Sequence, residues 1–160
     1  MPRSPLTDAL IEIDRALIAL DNSKNSVPNP FQPDPTESEE DSYLRHKFYQ
    51  NLLGSSFYNA ALAFEHSLHA FYKLYGMQPP SSGHNLKSLL EKTNNILVSY
   101  SKAPIQLSFE SYLEQMSTDF SKHSRYGENT VPRESLFMAM QNALDSLGHL
   151  DSVDITVDQL

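Results

Sequence analysis

The chain has 160 residues, of which 39% are hydrophobic, and its twelve Lys and Arg against twenty Asp and Glu give a formal net charge of −8. This length fits one globular domain, and the absence of Cys excludes a disulfide-stabilised scaffold, a Cys nucleophile and a Cys-ligated zinc site. The acidic balance opposes unselective binding of nucleic acid, so any RNA contact has to be local.

No targeting or membrane segment is predicted. The N-terminal region lacks an apolar core of signal-peptide length, since its longest apolar run is Ala16 to Leu20. No stretch is long and apolar enough to span a bilayer. These features predict a cytoplasmic protein without a membrane segment.

The first helical pattern lies near the N-terminus and is followed by an acidic segment. Apolar residues at steps of four and three predict helix 1 at about 5–21. Its stripe consists of Leu6, Leu10, Ile13, Leu17 and Leu20. Residues 22–41 contain four Pro and five acidic residues, and we expect them to form an acidic, Pro-rich loop.

The second pattern is long and rich in aromatic residues. It predicts a helix from about 42 to 75 that ends at Gly76. Its stripe consists of Phe57, Ala61, Phe64, Leu68, Phe71 and Tyr75. Gly54 and the two Ser after it leave open whether this helix is continuous, bent or broken.

Three shorter helical patterns follow. Their predicted bounds are about 84–100 for helix 3, 105–121 for helix 4, and Pro132 to Leu150 for helix 5. Between the last two helices, the polar residues 122–130 predict a turn.

Together these patterns predict an all-α fold, an up-and-down bundle of four or five helices, because each apolar stripe needs a helical partner to bury it. Residues 1–160 are expected to form a single helical domain. Its irregular parts are the loop at 22–41 and the tail at 151–160, which we expect to be frayed.

The aromatic helix carries a polar pair in the stretch Glu65-His-Ser-Leu-His69. Residues four apart share a helix face, so Glu65 and His69 could chelate a metal or act as an acid with its orienting partner. The spacing is neither the His-Glu-x-x-His of zinc proteases nor its reverse. The favoured interpretation is a structural one, in which Glu65 accepts hydrogen bonds from a neighbouring helix, and neither a metal nor a cofactor is predicted.

A basic cluster, Lys122-His123-Ser124-Arg125-Tyr126, carries positive charge in a chain that is acidic as a whole. Arg125 offers a planar fork for a phosphate and Lys122 a point charge. His123 can donate or accept a proton near neutral pH, and Tyr126 provides a ring for stacking. These residues suit a phosphate-bearing ligand, although cations also stabilise the last turn of a helix without any ligand.

His84 stands at the predicted start of helix 3, before the capping residue Asn85. A helix start is the simpler interpretation of this pair. Whether His84 also faces the basic cluster is left open.

Two stretches are similar to a known family. The first runs from Tyr58-Asn-Ala-Ala-Leu-Ala-Phe-Glu65 through Gly76 and Pro79-Pro80 to His84-Asn-Leu, and the second is Ser124-Arg125-Tyr126-Gly127. In this order they resemble the HEPN family (higher eukaryotes and prokaryotes nucleotide-binding) over about residues 57–126. The resemblance implies a four- or five-helix bundle that is usually a homodimer. The family includes metal-independent RNases, toxins paired with nucleotidyltransferase antitoxins, and non-catalytic members that associate with nucleotides or RNA.

The RNase members of this family carry an Arg followed, after four to six residues, by a His. None of the five Arg in this chain is followed by a His at that spacing; after Arg125 the positions hold Thr130, Val131 and Pro132. Catalytic roles are therefore not transferred from the family to His123, Arg125 or Tyr126.

The leading hypothesis is a HEPN-like module without catalysis. It binds a nucleotide or an RNA phosphate through Lys122, His123, Arg125 and Tyr126, or pairs with a nucleotidyltransferase-type protein. One alternative is a divergent, metal-independent endoribonuclease whose site draws on His84 as well as His123, Arg125 and Tyr126. Another is a structural bundle that mediates dimerisation through helix 57–75.

Overall fold

Five α-helices form the structure, a computed structural model that describes residues 2–81, 84–126 and 131–155, with 123–126 described by their backbone alone. The helices are α1 (Pro5–Ser26), α2 (Glu39–Leu74), α3 (Leu86–Ser99), α4 (Leu113–Tyr126) and α5 (Arg133–Gly148), with 3-10 turns at Glu110–Tyr112 and His149–Val153. No strand occurs in these ranges, so the predicted all-α helical bundle is confirmed. None of the described helices is long and apolar enough to cross a membrane.

Helix α2 is the central element of the bundle. It packs against each of the other four helices, and its aromatic residues Phe57, Phe64 and Phe71 are fully buried. The helix is continuous through Gly54, which answers the question that the sequence left open. It ends just before Gly76, whose φ of 71° is the left-handed conformation typical of helix C-termini.

Helix α1 lies along α2 on a face rich in small side chains. The Ser23 hydroxyl donates a hydrogen bond to the Ser56 carbonyl oxygen (2.7 Å), and the Ser56 hydroxyl donates to the Ser23 carbonyl oxygen (2.6 Å). The buried face consists of Ala9, Glu12, Ile13, Ala16, Ala19, Leu20 and Ser23. It is rotated relative to the predicted stripe and leaves Leu6 exposed, because Ala and Ser allow the two backbones to approach closely.

The loop between α1 and α2 is shorter than predicted and packs against α2. Both helices extend into the predicted 22–41 segment, so that the non-helical part is 27–38. The Arg45 guanidinium, on α2, lies 4.5 Å from the centroid of the Phe31 ring and binds the Glu37 carboxylate at 2.9 Å. These contacts attach the loop to the first turns of α2.

Helix α4 begins later than the periodicity predicts. It starts at Leu113 instead of about 105 and continues to Tyr126, so residues 122–126 are helical instead of part of a turn. The N–H groups of the preceding segment donate to side chains of α3 and α5, namely Ile105 to Asn94 Oδ1, Ser108 to Asp145 Oδ2 and Phe109 to Asn142 Oδ1. These bonds replace helical hydrogen bonds and keep the segment non-helical.

The chain after α5 also packs against the bundle. The 3-10 turn His149–Val153 follows α5 directly, and the side chains of Val153 and Ile155 are buried. The structure therefore differs from the frayed tail predicted at 151–160 for residues 151–155, because two apolar side chains there reach the core. Residues 156–160 lie outside the described part of the chain.

Candidate functional site

A cleft of about 480 Å³ lies between the start of α3 and the second half of α4. Its lining consists of His84, Asn85, Lys87, Glu114, Ser117, Thr118, Ser121 and Lys122. The two walls are joined by a hydrogen bond in which the Leu86 N–H donates to the Ser117 hydroxyl (3.0 Å). The packing of α3 against α4 thus fixes the width of the cleft.

Several groups at the cleft favour the binding of an anion. Lys87 and Lys122 line it, and Lys122 forms no ion pair with the described residues. The Lys87 ammonium lies 4.0 Å from the carboxylate of Glu114, which is exposed and therefore screened by water. Asn85 caps α3, with its Oδ1 accepting from the Ser88 N–H, so the positive end of the α3 dipole lies at the same place.

His84 is held at the edge of this cleft by two contacts. Its Nδ1 lies 3.3 Å from Glu65 Oε2, and its ring packs edge-on against Phe120 with 4.6 Å between the centroids. Its backbone has a φ of 68°, a left-handed conformation that costs a non-glycine residue about 1–2 kcal/mol. The two contacts offset this strain and give the imidazole one defined orientation.

The predicted pair of Glu65 and His69 does share a face of α2. Glu65 Oε1 lies 4.0 Å from His69 Nε2, and both side chains are largely buried. Glu65 Oε2 also accepts from His84, which lies in the turn before α3. Glu65 therefore links α2 to the cleft.

The basic cluster is only partly described. Lys122 lies in the C-terminal part of α4, is exposed and lines the same cleft as His84, so the structure brings these two predicted residues together. The backbone of His123, Arg125 and Tyr126 belongs to the last turn of α4, whereas their side chains lie outside the described residues. Their role in ligand binding stays a prediction.

A second polar cluster, formed by Glu12, His66 and His69, was not predicted from the sequence. One ligand atom of each residue lies within 4.8 Å of the others. Glu12 Oε2, on α1, accepts a hydrogen bond from His66 Nδ1 on α2 (2.8 Å), and Glu12 Oε1 accepts one from Arg15 Nη1 (3.1 Å). The rings of His66 and His69 are perpendicular, with 5.9 Å between their centroids.

The surroundings set the protonation states of this cluster. Burial raises the pKa of Glu12, but the hydrogen bond from His66 and the electrostatic effect of His66, His69 and Arg15 outweigh burial and bring the pKa below its ordinary value. Burial lowers the pKa of His69, although the carboxylates of Glu65 and Glu12 act in the opposite direction. At neutral pH the cluster therefore contains a charged carboxylate and a neutral His69.

Three functional candidates were missed for identifiable reasons. Glu12 was overlooked because the predicted stripe of helix 1 was rotated and placed this residue off the buried face. The i, i+3 spacing of His66 and His69 was the available signal for the cluster. Lys87 follows His84 by three residues, and only the fold shows that both border one cleft.

Comparisons with family models, with curated proteins and with solved structures found no match to this chain. The resemblance to the HEPN family therefore rests on the residues quoted for 57–126.

Proposed function

We propose that the protein is a HEPN-like binding module that holds a phosphate-bearing ligand, a nucleotide or an RNA phosphate, in the cleft between α3 and α4. One observation carries this proposal. In a chain with a net charge of −8, His84, Lys87 and Lys122 border a single cleft although they come from different elements. Arg125 is included from the sequence, because it follows Lys122 by three residues in α4.

The chemistry of the lining fits a phosphate better than a carboxylate or a neutral ligand. Two ammonium groups supply the charge, and the start of α3 adds the partial positive charge of a helix N-terminus. The hydroxyls of Ser117 and Thr118, which also line the cleft, donate to backbone carbonyl oxygens of α4, so the two ammonium groups are the main donors. A phosphate offers several acceptor oxygens, and Lys87 and Lys122 approach the cleft from its two walls.

Replacing one of the two cleft lysines is expected to weaken binding about 10–150-fold, since a hydrogen bond to a charged group contributes about 1.5–3 kcal/mol and 1.4 kcal/mol corresponds to a factor of ten. Fluorescence anisotropy with a labelled single-stranded RNA, and competition with ATP, would compare Lys87→Gln and Lys122→Gln with the wild type. For the RNA, each lost contact should also lower the slope of log K against log salt by about 0.7.

The matched control is Lys92→Gln, which removes an exposed lysine of the same helix as Lys87 but outside the cleft. It should leave affinity unchanged. Equal losses in Lys92→Gln and Lys87→Gln would show that only the net charge matters and would contradict the site. Arg125→Ala tests in a separate experiment whether Arg125, which was included on the basis of the sequence, contributes to binding.

A second candidate function, a metal-independent endoribonuclease, is favoured by the contact between Glu65 and His84. A carboxylate at Nδ1 fixes the orientation of an imidazole, which is the arrangement a general base needs. Incubating labelled RNA with the protein in the presence of chelator, beside His84→Gln, tests this function. Chelator-resistant cleavage that disappears in His84→Gln supports it, and intact RNA with the wild type rejects it.

The partners that the resemblance implies, a second copy or a nucleotidyltransferase-type protein as in toxin–antitoxin pairs, remain part of this proposal, as does a cytoplasmic location. The dimer interface predicted on helix 57–75 needs correction, because Phe57, Phe64 and Phe71 are buried within the bundle. The exposed apolar side chains of α2 are instead Tyr43, Leu44 and Phe48. Light scattering of the purified chain measures whether a dimer forms.

A further inference from the structure

We propose that Glu12, His66 and His69 form a binding site for one divalent transition-metal ion, with Zn²⁺ as the probe. Two imidazoles and one carboxylate make a ligand set that zinc accepts, with a fourth position left for water or another ligand. Imidazole ligands also suit copper, iron and nickel. The site shares none of its three ligands with the phosphate cleft and does not depend on the function proposed for that cleft.

The first argument is geometric. Bonds of about 2.0–2.2 Å from zinc to nitrogen or oxygen place two ligand atoms of one ion at most about 4.4 Å apart. The three ligand atoms here already lie within 4.8 Å of one another, with Glu12 Oε2 and His66 Nδ1 at 2.8 Å. An ion here would take the place of the hydrogen bond between Glu12 and His66, whose two atoms would move slightly apart, and would draw the ligand atom of His69 closer.

The second argument concerns what holds the ligands. His66 and His69 stand on successive turns of α2, and Glu12 stands on α1, which packs along it. Both elements are long helices of the bundle, and sites on such elements are held more accurately than sites on loops. Arg15 binds Glu12 Oε1 and leaves Oε2 directed towards His66.

The third argument is that one residue of the cluster, His69, has no hydrogen-bond partner among the described residues. The bond between Glu12 and His66 accounts for these two residues. The His69 side chain is only 20% exposed, yet it forms no hydrogen bond with the described residues and approaches Glu65 only to 4.0 Å. Buried polar groups generally have a partner, and a metal ion would supply one.

Access to the cluster suits an ion. The carboxylates of Glu12 and Glu65 and the cations of Arg15 and Lys73 all act on this cluster, so the charges of these four side chains balance. The Glu12 side chain is 8% exposed and the His66 side chain is 22% exposed. The ligand atoms are therefore largely shielded from water, but an ion can still reach them. Glu65, next to His69, can act as the carboxylate that orients a metal-bound imidazole.

The test is a titration of the chelator-treated, dialysed full chain with Zn²⁺ by calorimetry, and with Co²⁺ by its ligand-field absorption. We expect one ion per chain. Glu12→Gln and His69→Gln should each weaken binding at least about 100-fold, since the loss of even an outer-shell partner costs about 10–100-fold. The control is His46→Gln, which removes another imidazole of α2 that is exposed and remote from the cluster in the chain, and it should bind as the wild type does.

His69→Gln is the decisive variant, because it removes no hydrogen bond of the described residues and so is expected to fold. Thermal unfolding adds a second measurement: Zn²⁺ should raise the Tm of the wild type and of His46→Gln, but not that of His69→Gln. Binding that persists in both cluster variants, or that is lost equally in His46→Gln, would overturn the proposal. So would a wild-type chain that takes up no ion.

Discussion

Phe64→Ala is expected to lower the free energy of unfolding by about 3–5 kcal/mol, the range for removing a fully buried aromatic side chain. Phe64 is 0% exposed and lies near the middle of the buried part of α2, the helix that contacts every other helix. The cavity left by the ring would therefore lie at the centre of the bundle. Urea unfolding followed by circular dichroism measures the effect as a lower midpoint with an unchanged slope.

The matched control is Phe48→Ala, which makes the same chemical change in the same helix. Phe48 is 64% exposed, and substitutions of exposed residues usually change stability by less than about 0.5 kcal/mol. The comparison thus separates burial from helix propensity. Equal losses in the two variants would contradict the position of α2 described above.

The position of Phe64 also explains why the candidate sites are next to the core. Glu65, His66 and His69 follow it within two turns of α2, at the border of the buried stripe. Their backbones are therefore fixed by the packing of α2, while their polar ends stay partly accessible. Because natural domains are stable by only about 5–15 kcal/mol, Phe64→Ala should also weaken both proposed binding activities in conditions near unfolding.

The parts of the fold that the sequence predicted well depend on large apolar side chains. Phe57, Phe64 and Phe71 recur every seven residues, about two helical turns, and therefore lie on one face, so α2 was recognised despite Gly54. In α1 the buried face contains several alanines, and alanine is so weakly hydrophobic that it occurs on exposed helix faces as well. Which alanines are buried depends on how closely the partner helix approaches. The apolar pattern of α1 alone does not predict this distance.

The candidate sites were predictable only to the extent that they are local. Glu65 and His69 belong to one helix, and their shared face follows from the spacing alone. The contact between Glu12 and His66 joins two helices across 54 positions, and the cleft joins Lys87 on α3 with Lys122 on α4. Such pairs depend on the register of one helix against another, which is set by packing across the whole bundle.

The late start of α4 is the largest difference between the predicted and the observed helices. Its cause is a contact with Asn142, whose substitution should have the second large effect on stability. Asn142 on α5 accepts a hydrogen bond from the Phe109 N–H at Oδ1 (3.2 Å) and donates one from Nδ2 to the Phe109 carbonyl oxygen (3.2 Å). A side chain distant in sequence thus occupies both backbone groups of a residue just before α4. Local periodicity does not reveal a competitor of this kind.

Asn142→Ala is therefore expected to destabilise the fold by about 2–4 kcal/mol, because it removes two hydrogen bonds to Phe109 and a weaker one to Met116 Sδ, and leaves a cavity at a side chain that is 0% exposed. The control, Asn95→Ala, removes the same side chain from an exposed position of α3 and should have little effect. Urea unfolding measures the difference between the two variants.

The same substitution should act locally as well as globally. Hydrogen exchange should accelerate first at the amides of Ile105, Ser108 and Phe109, whose side-chain acceptors lie on α3 and α5. Because this segment sets where α4 begins, the α4 wall of the cleft, including Lys122, should shift and RNA affinity should fall under conditions where the chain remains folded. Uniform acceleration of exchange with unchanged affinity would show instead that Asn142 stabilises only the core and does not position the cleft.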